Sequence, residues 1–252
     1  MRPLASLLGL LVIGEISRVI AADSVFQSGP AQVALIELYT SEGCSSCPPA
    51  EKWLGDLRPS PALWKEFVPV ALHVNYWDHL GWRDALASKA FTDREHAYAQ
   101  AWRASSVYTP CFVRNGAEWR PREGGALSGR GAADAGMLTA RWNAETRVCA
   151  IEHAPARNAQ PPRALDVSVA LLGGGIVTDV RKGENAGRTL RHEFVALRFV
   201  TAKLLRNDAG VWTATVTLPA RADVTASRRA LAAWVSLHGE PAPLQATGGW
   251  LE

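Results

Sequence analysis

The chain has 252 residues and a formal net charge of +3, from 27 Lys and Arg against 24 Asp and Glu. The length exceeds one average domain, and a hydrophobic content of 48% is ample for a packed core. Its basic residues fall singly, without the stripe that phosphate backbones require, which counts against nucleic acid as a partner.

The N-terminus reads as an export signal. Arg2 supplies a short basic region, Leu4 to Gly14 form an apolar run, and Val19-Ile20-Ala21-Ala22 ends in small residues suited to cleavage before Asp23. A signal peptide over 1–22 is expected, with no stable membrane span after its removal, because the run is too short to cross a bilayer. No cysteine follows the cleavage point, so a lipoprotein is not indicated. A periplasmic or secreted home is therefore expected. In such an oxidising compartment the four cysteines, Cys44, Cys47, Cys111 and Cys149, permit three pairings. Spacing favours Cys44 with Cys47 and leaves Cys111 and Cys149 as a candidate second bridge.

Gln32 to Tyr39 is a short apolar run bounded by Gly29-Pro30 and Ser41-Glu42-Gly43 and reads as a buried strand. After Cys44 the spacing turns helical, with Pro49, Trp53 and Leu57 on one face, until Pro59 and Pro61 stop it. Phe67 to Asn75 is a second buried strand, giving a strand–helix–strand unit of parallel sense. His73, alternating with apolar neighbours, reads as a core histidine. The aromatic segment Tyr76 to Asp84 follows, then a helix whose Thr92-Asp-Arg-Glu95 has the form of a capping box. Asn115-Gly116 between two short strand-like runs predicts a hairpin. A helix is expected over 132–144 and a strand over 148–152. Prolines then mark a linker at 155–162. Beyond it, alternating runs at 165–171, 211–218 and 233–237 predict a small β-sandwich over 163–252.

The feature that carries chemistry is Cys44-Ser45-Ser46-Cys47 between a buried strand and a helix. A cysteine at a helix N-terminus meets free N–H groups and the positive end of the dipole, which favour thiolate. Cys44 is thus expected to titrate below a free thiol and to attack. Cys47, one turn along, would resolve the mixed disulfide. The plainer alternative is an inert structural disulfide. A different reading is metal handling, with Cys44, Cys47 and either Cys111 or His79 holding Cu(I) or Zn; another is a binding module without turnover.

This arrangement resembles the thioredoxin-like proteins, which set a cis-proline preceded by Thr or Val opposite the cysteines; Thr109-Pro110 occupies that place. More narrowly, Glu37 to Ala50, His73 to Trp82, Val107-Tyr-Thr-Pro110 and Gly183 to Leu190 resemble one family of exported bacterial proteins, domain-of-unknown-function family 1223. Asn75, where the family tends to have Asp, and Cys111, where a polar residue is commoner, depart from its pattern. The resemblance implies an α/β thioredoxin-like domain over 23–154 followed by the β-rich unit, and cofactor-free exchange with protein or small-molecule thiols. It also implies that Glu37 is a buried carboxylate relaying protons to the resolving thiol; a glutamate paired with an arginine is the alternative. Gly183 to Gly187 reads as a long turn between sandwich strands, without a chemical role.

Overall fold

The computed structural model describes residues 23–121, 127, 134–156, 162–220 and 224–252. The expected signal peptide and residues 157–161 of the expected linker lie outside them. Two sequence-adjacent strands, β1 (Ser24–Gln27) and β2 (Ala34–Thr40), go to different sheets. Strand β2 leads into α1 (Cys47–Gly55), then β3 (Phe67–His73), α2 (Lys89–Trp102), β4 (Cys111–Arg114) and β5 (Ala117–Trp119). β6 (Met137–Asn143) and β7 (Val148–Ala154) follow. The second half is all strand: β8 (Leu165–Gly174), β9 (Ile176–Asp179), β10 (Thr189–His192), β11 (Val195–Lys203), β12 (Leu205–Arg206), β13 (Trp212–Thr217), β14 (Arg228–Leu237) and β15 (Pro243–Leu251).

The expectation of an α/β thioredoxin-like domain followed by a self-contained small β-sandwich is overturned. The chain is mostly β, with two α-helices among the described residues. Strands of both halves share one mixed sheet in the order β15-β14-β8-β11-β3-β2-β4-β5. The physical reason lies at β3. Its free edge is taken by β11, which joins in parallel at Val195 opposite Ala71, and β8 and β14 then add antiparallel. A second sheet, β1-β6-β7-β13-β12, again draws on both halves. It packs on the first through Leu138, Ala140, Trp142 and Ile151 against Val167, Val169, Leu231 and Ala233.

Strands β2 and β3 pair in parallel from Ala34 opposite Phe67 to Thr40 opposite His73. Both are buried along their whole length, as expected of strands covered on two faces. On one face Leu35, Tyr39, Val70 and Leu72 meet Phe91 and Tyr98 of α2. On the other, Ile36, Leu38 and Ala71 meet Leu54 of α1.

Three local expectations also change. The helix expected over 132–144 is strand β6 where it is described, because Leu138, Ala140 and Trp142 point inward with period two. The capping box is displaced: α2 begins one turn earlier, where the Ser88 hydroxyl accepts from the Ala90 N–H, and Thr92 instead donates to Asn75 Oδ1 at 2.8 Å. Cys111 and Cys149 are both buried free thiols, on strands of different sheets. The Asn115-Gly116 turn is present, with φ of 49° and 86°.

Candidate redox site and the charged cluster behind it

Both β2 and β3 end at the same edge of the sheet, and the loops that leave them build the site. After Thr40, the turn Ser41-Glu42-Gly43 is closed by Cys44 N–H donating to Ser41 O at 3.1 Å. Cys44 and Cys47 form a disulfide with 5.5 Å between their Cα atoms. Ser45 and Ser46 are exposed, while both cysteines are fully buried. Helix α1 starts at Cys47 rather than Cys44. Its first turn has few free donors, since Cys47 N–H bonds Cys44 O and Pro48 and Pro49 have none. The N-terminal thiolate stabilisation expected from sequence is correspondingly reduced.

The Thr109-Pro110 peptide is cis and precedes β4, where Cys111 pairs with Tyr39 near the end of β2. Trp77 ties this loop to the cysteine turn: its Nε1 donates to Thr109 Oγ1 at 2.8 Å. A Cβ on Gly43 would lie 2.9 Å from Trp77 Cβ, so a side chain at 43 would push Trp77 away.

Glu37 is fully buried on β2 and paired with Arg94, Nε to Oε1 at 2.6 Å. The Tyr98 hydroxyl donates to its other oxygen at 2.6 Å, and Arg94 Nη2 donates to Pro241 O at 2.9 Å. Its partners are thus an arginine and tyrosines, and the node joins β2, α2 and the β14–β15 turn. Burial pushes the Cys111 thiol up to about 12. His79 is exposed and bonds Tyr76 O.

Sequence reading singled out the 183–187 segment without a role at the cysteine turn, and missed the charges behind the disulfide. Asn185, fully buried, donates from Nδ2 to Glu42 O and to Cys44 O, each at 2.9 Å. Glu184 accepts from Ser45 N–H at 3.0 Å; the Ser45 side chain and then its backbone N–H hold the carboxyl below the usual range. Gly183 and Gly187, at φ of 76° and 82°, turn this segment back on itself.

Behind the disulfide, α1 presents Cys47, Glu51 and Leu54 to the sheet, a spacing of four and three, rather than the expected face of Pro49, Trp53 and Leu57, of which Pro49 is exposed. Glu51 accepts from the Thr40 hydroxyl at 2.7 Å and contacts His192 Nδ1 at the end of β10. Nε2 of His192 lies 3.4 Å from Glu42 Oε1. His73 contacts Asp84 Oδ2 through Nδ1 at 2.7 Å, and Asp84 also accepts from Glu42 N–H and Leu86 N–H. Burial opposes charge on all four, but the pairing outweighs it. His192 is lifted to about 10 by Glu51 and Glu42, and His73 is raised by Asp84. Glu51 and Asp84 are lowered by the histidines they face.

Glu95 on α2 is different. Burial raises its pKa to about 7. The ionisable groups that interact with it, Tyr39, Tyr76 and Cys111, carry no positive charge. The folded chain therefore keeps that proton at a pH where the unfolded chain has lost it. Stability from this group is full below about 4.5 and declines as pH rises to about 7. Urea titrations across this window should show a decline in the wild type that Glu95→Gln flattens; equal slopes would refute it.

What fold and site define together is a mostly β protein built on a mixed sheet, with a buried Cys-x-x-Cys disulfide at a strand–helix junction. The chain belongs to the protein family of unknown function DUF1223, whose model matches residues 35–236. It is similar to the crystal structure of protein AGR_C_4864 from Agrobacterium tumefaciens, at 24% identity and a TM-score of 0.56, covering 88% of this chain and 95% of that one. It is also similar to HBP35 of Porphyromonas gingivalis, at 13% identity and a TM-score of 0.55, covering 89% and 76%. At these identities the likeness concerns the fold alone. No curated protein matches the chain. Among the described residues no helix is long and apolar enough to cross a membrane.

Proposed function

We propose that the chain is an exported thiol–disulfide oxidoreductase whose Cys44–Cys47 pair exchanges with protein or small-molecule thiols. The observation that carries this reading is the disulfide closed between residues only three apart at a strand–helix junction; Trp77, close to Gly43, bonds the Thr109 hydroxyl of the cis Thr109-Pro110 peptide. A bridge closing so small a loop adds little chain-entropy stabilisation, so a purely structural role explains it poorly. In the exchange, a substrate thiolate attacks Cys44 Sγ and Cys47 leaves as thiolate. A second substrate thiolate then attacks the substrate sulfur of the mixed disulfide and releases Cys44. The substrate dithiol is oxidised, the Cys44–Cys47 pair is reduced, and two electrons pass between them. In the reverse sense Cys44 attacks and Cys47 resolves.

One observation favours a static disulfide instead: both sulfurs are buried. Exchange therefore requires the 183–187 segment, bonded to Cys44 O and Ser45 N–H, to move aside. Insulin reduction by dithiothreitol tests the proposal. The wild type should accelerate it well above the uncatalysed rate, and Cys44→Ser should return it to background. Equal rates for the two proteins would remove the enzyme reading.

A further inference from the structure

We infer that His73, His192 and Glu51 form a binding site for one divalent transition-metal ion, zinc by preference, behind the disulfide and independent of its sulfurs. One ligating atom from each residue lies within 4.8 Å of the others, and all three residues are buried. They come from three separate elements, the end of β3, helix α1 and the end of β10, so the fold has to be complete before they meet.

An unpartnered atom of this cluster points to a ligand. His73 Nε2 is buried and lacks a hydrogen-bond partner, whereas His192 Nε2 and Glu42 Oε1 face each other as an ion pair. A buried polar atom is rarely left so, and His73 Nε2 calls for a partner. In His73 the other nitrogen is already committed to Asp84. A carboxylate on one imidazole nitrogen and a metal on the other is the usual arrangement of a ligating histidine. Glu42 Oε1 stands 3.4 Å from His192 Nε2. Glu51 meets the opposite ring nitrogen, Nδ1, so an ion held at Nδ1 beside Glu51 leaves Glu42 outside its shell, as the carboxylate on the second nitrogen of His192.

Ligand chemistry selects the ion. Two imidazoles with a carboxylate suit zinc, whereas calcium and magnesium take oxygen alone and Cu(I) takes soft sulfur. The cysteines are committed to each other. All three ligands are buried and come from separate elements, so the ion would serve to hold the fold together. It would fix the ends of β3 and β10 against α1, the helix that carries Cys47.

The test uses the full chain purified from zinc-supplemented cells. Elemental analysis after gel filtration should find one zinc per chain, and the absorption edge of that zinc should show nitrogen and oxygen neighbours without sulfur. A Cys44→Ser, Cys47→Ser double variant should keep the ion, whereas His73→Ala and Glu51→Gln should lose it. Zinc absent from the wild type, sulfur in its shell, loss from the cysteine variant, or full retention by His73→Ala would each overturn the site. The wild-type measurements stand even where a buried substitution prevents folding.

Discussion

Replacing Arg94 with Met should lower the free energy of unfolding by about 3–5 kcal/mol, because it leaves a buried carboxylate without its counter-charge. Glu37 has no exposure and Arg94 has 11%, so water can do little to compensate. The Tyr98 and Tyr39 hydroxyls remain beside Glu37, at 2.6 and 3.2 Å, but supply no charge. The arginine also lies 5.2 Å from the Trp234 ring centroid, a contact the thioether would keep only in part. Glu37→Leu combined with Arg94→Met should recover most of the loss, since the cost lies in the unpaired charge rather than in the absent pair. Urea denaturation of the two variants checks this. A loss below about 1 kcal/mol in the single variant would mean that water reaches Glu37.

Asn185→Ala should raise the alkylation rate of reduced Cys44 by roughly tenfold to a hundredfold. The substitution removes two hydrogen bonds to the cysteine turn. At ~0.5–1.5 kcal/mol each, they hold the covering segment down by about 1–3 kcal/mol, and ~1.4 kcal/mol corresponds to a factor of ten. Glu184 would keep its own bond to Ser45 N–H, so the segment is loosened rather than lost. An iodoacetamide time course followed by mass spectrometry reads the change. An unchanged rate would show that something other than this segment limits access to the sulfur.

Local periodicity made β2, α1, β3 and the Asn115 hairpin legible, because each is decided by neighbours in sequence. Strand β6 was misread since Leu138, Ala140 and Trp142 sit among residues of good helix propensity, and it is cross-strand packing on β7 that makes their alternation count. The fold class failed at a longer range. Nothing within 165–251 announces that its strands extend the sheet of β2 and β3 through a short parallel contact at Val195. At the site, the cysteine pair and Thr109-Pro110 could be read from the chain, and Glu51 could have been, from its place one turn after Cys47. His192, Asp84 and Asn185 could not. Their roles arise from contacts across 11 to 143 residues of sequence.

The most direct test of the redox account is the reduction potential of the Cys44–Cys47 pair. It is measured by equilibrating the protein in dithiothreitol buffers, quenching with acid and counting alkylated thiols by mass. A working exchange pair should titrate reversibly as one two-electron couple with a midpoint above about −300 mV. A bridge that stays closed below that potential would be a structural staple, and the oxidoreductase reading would fall.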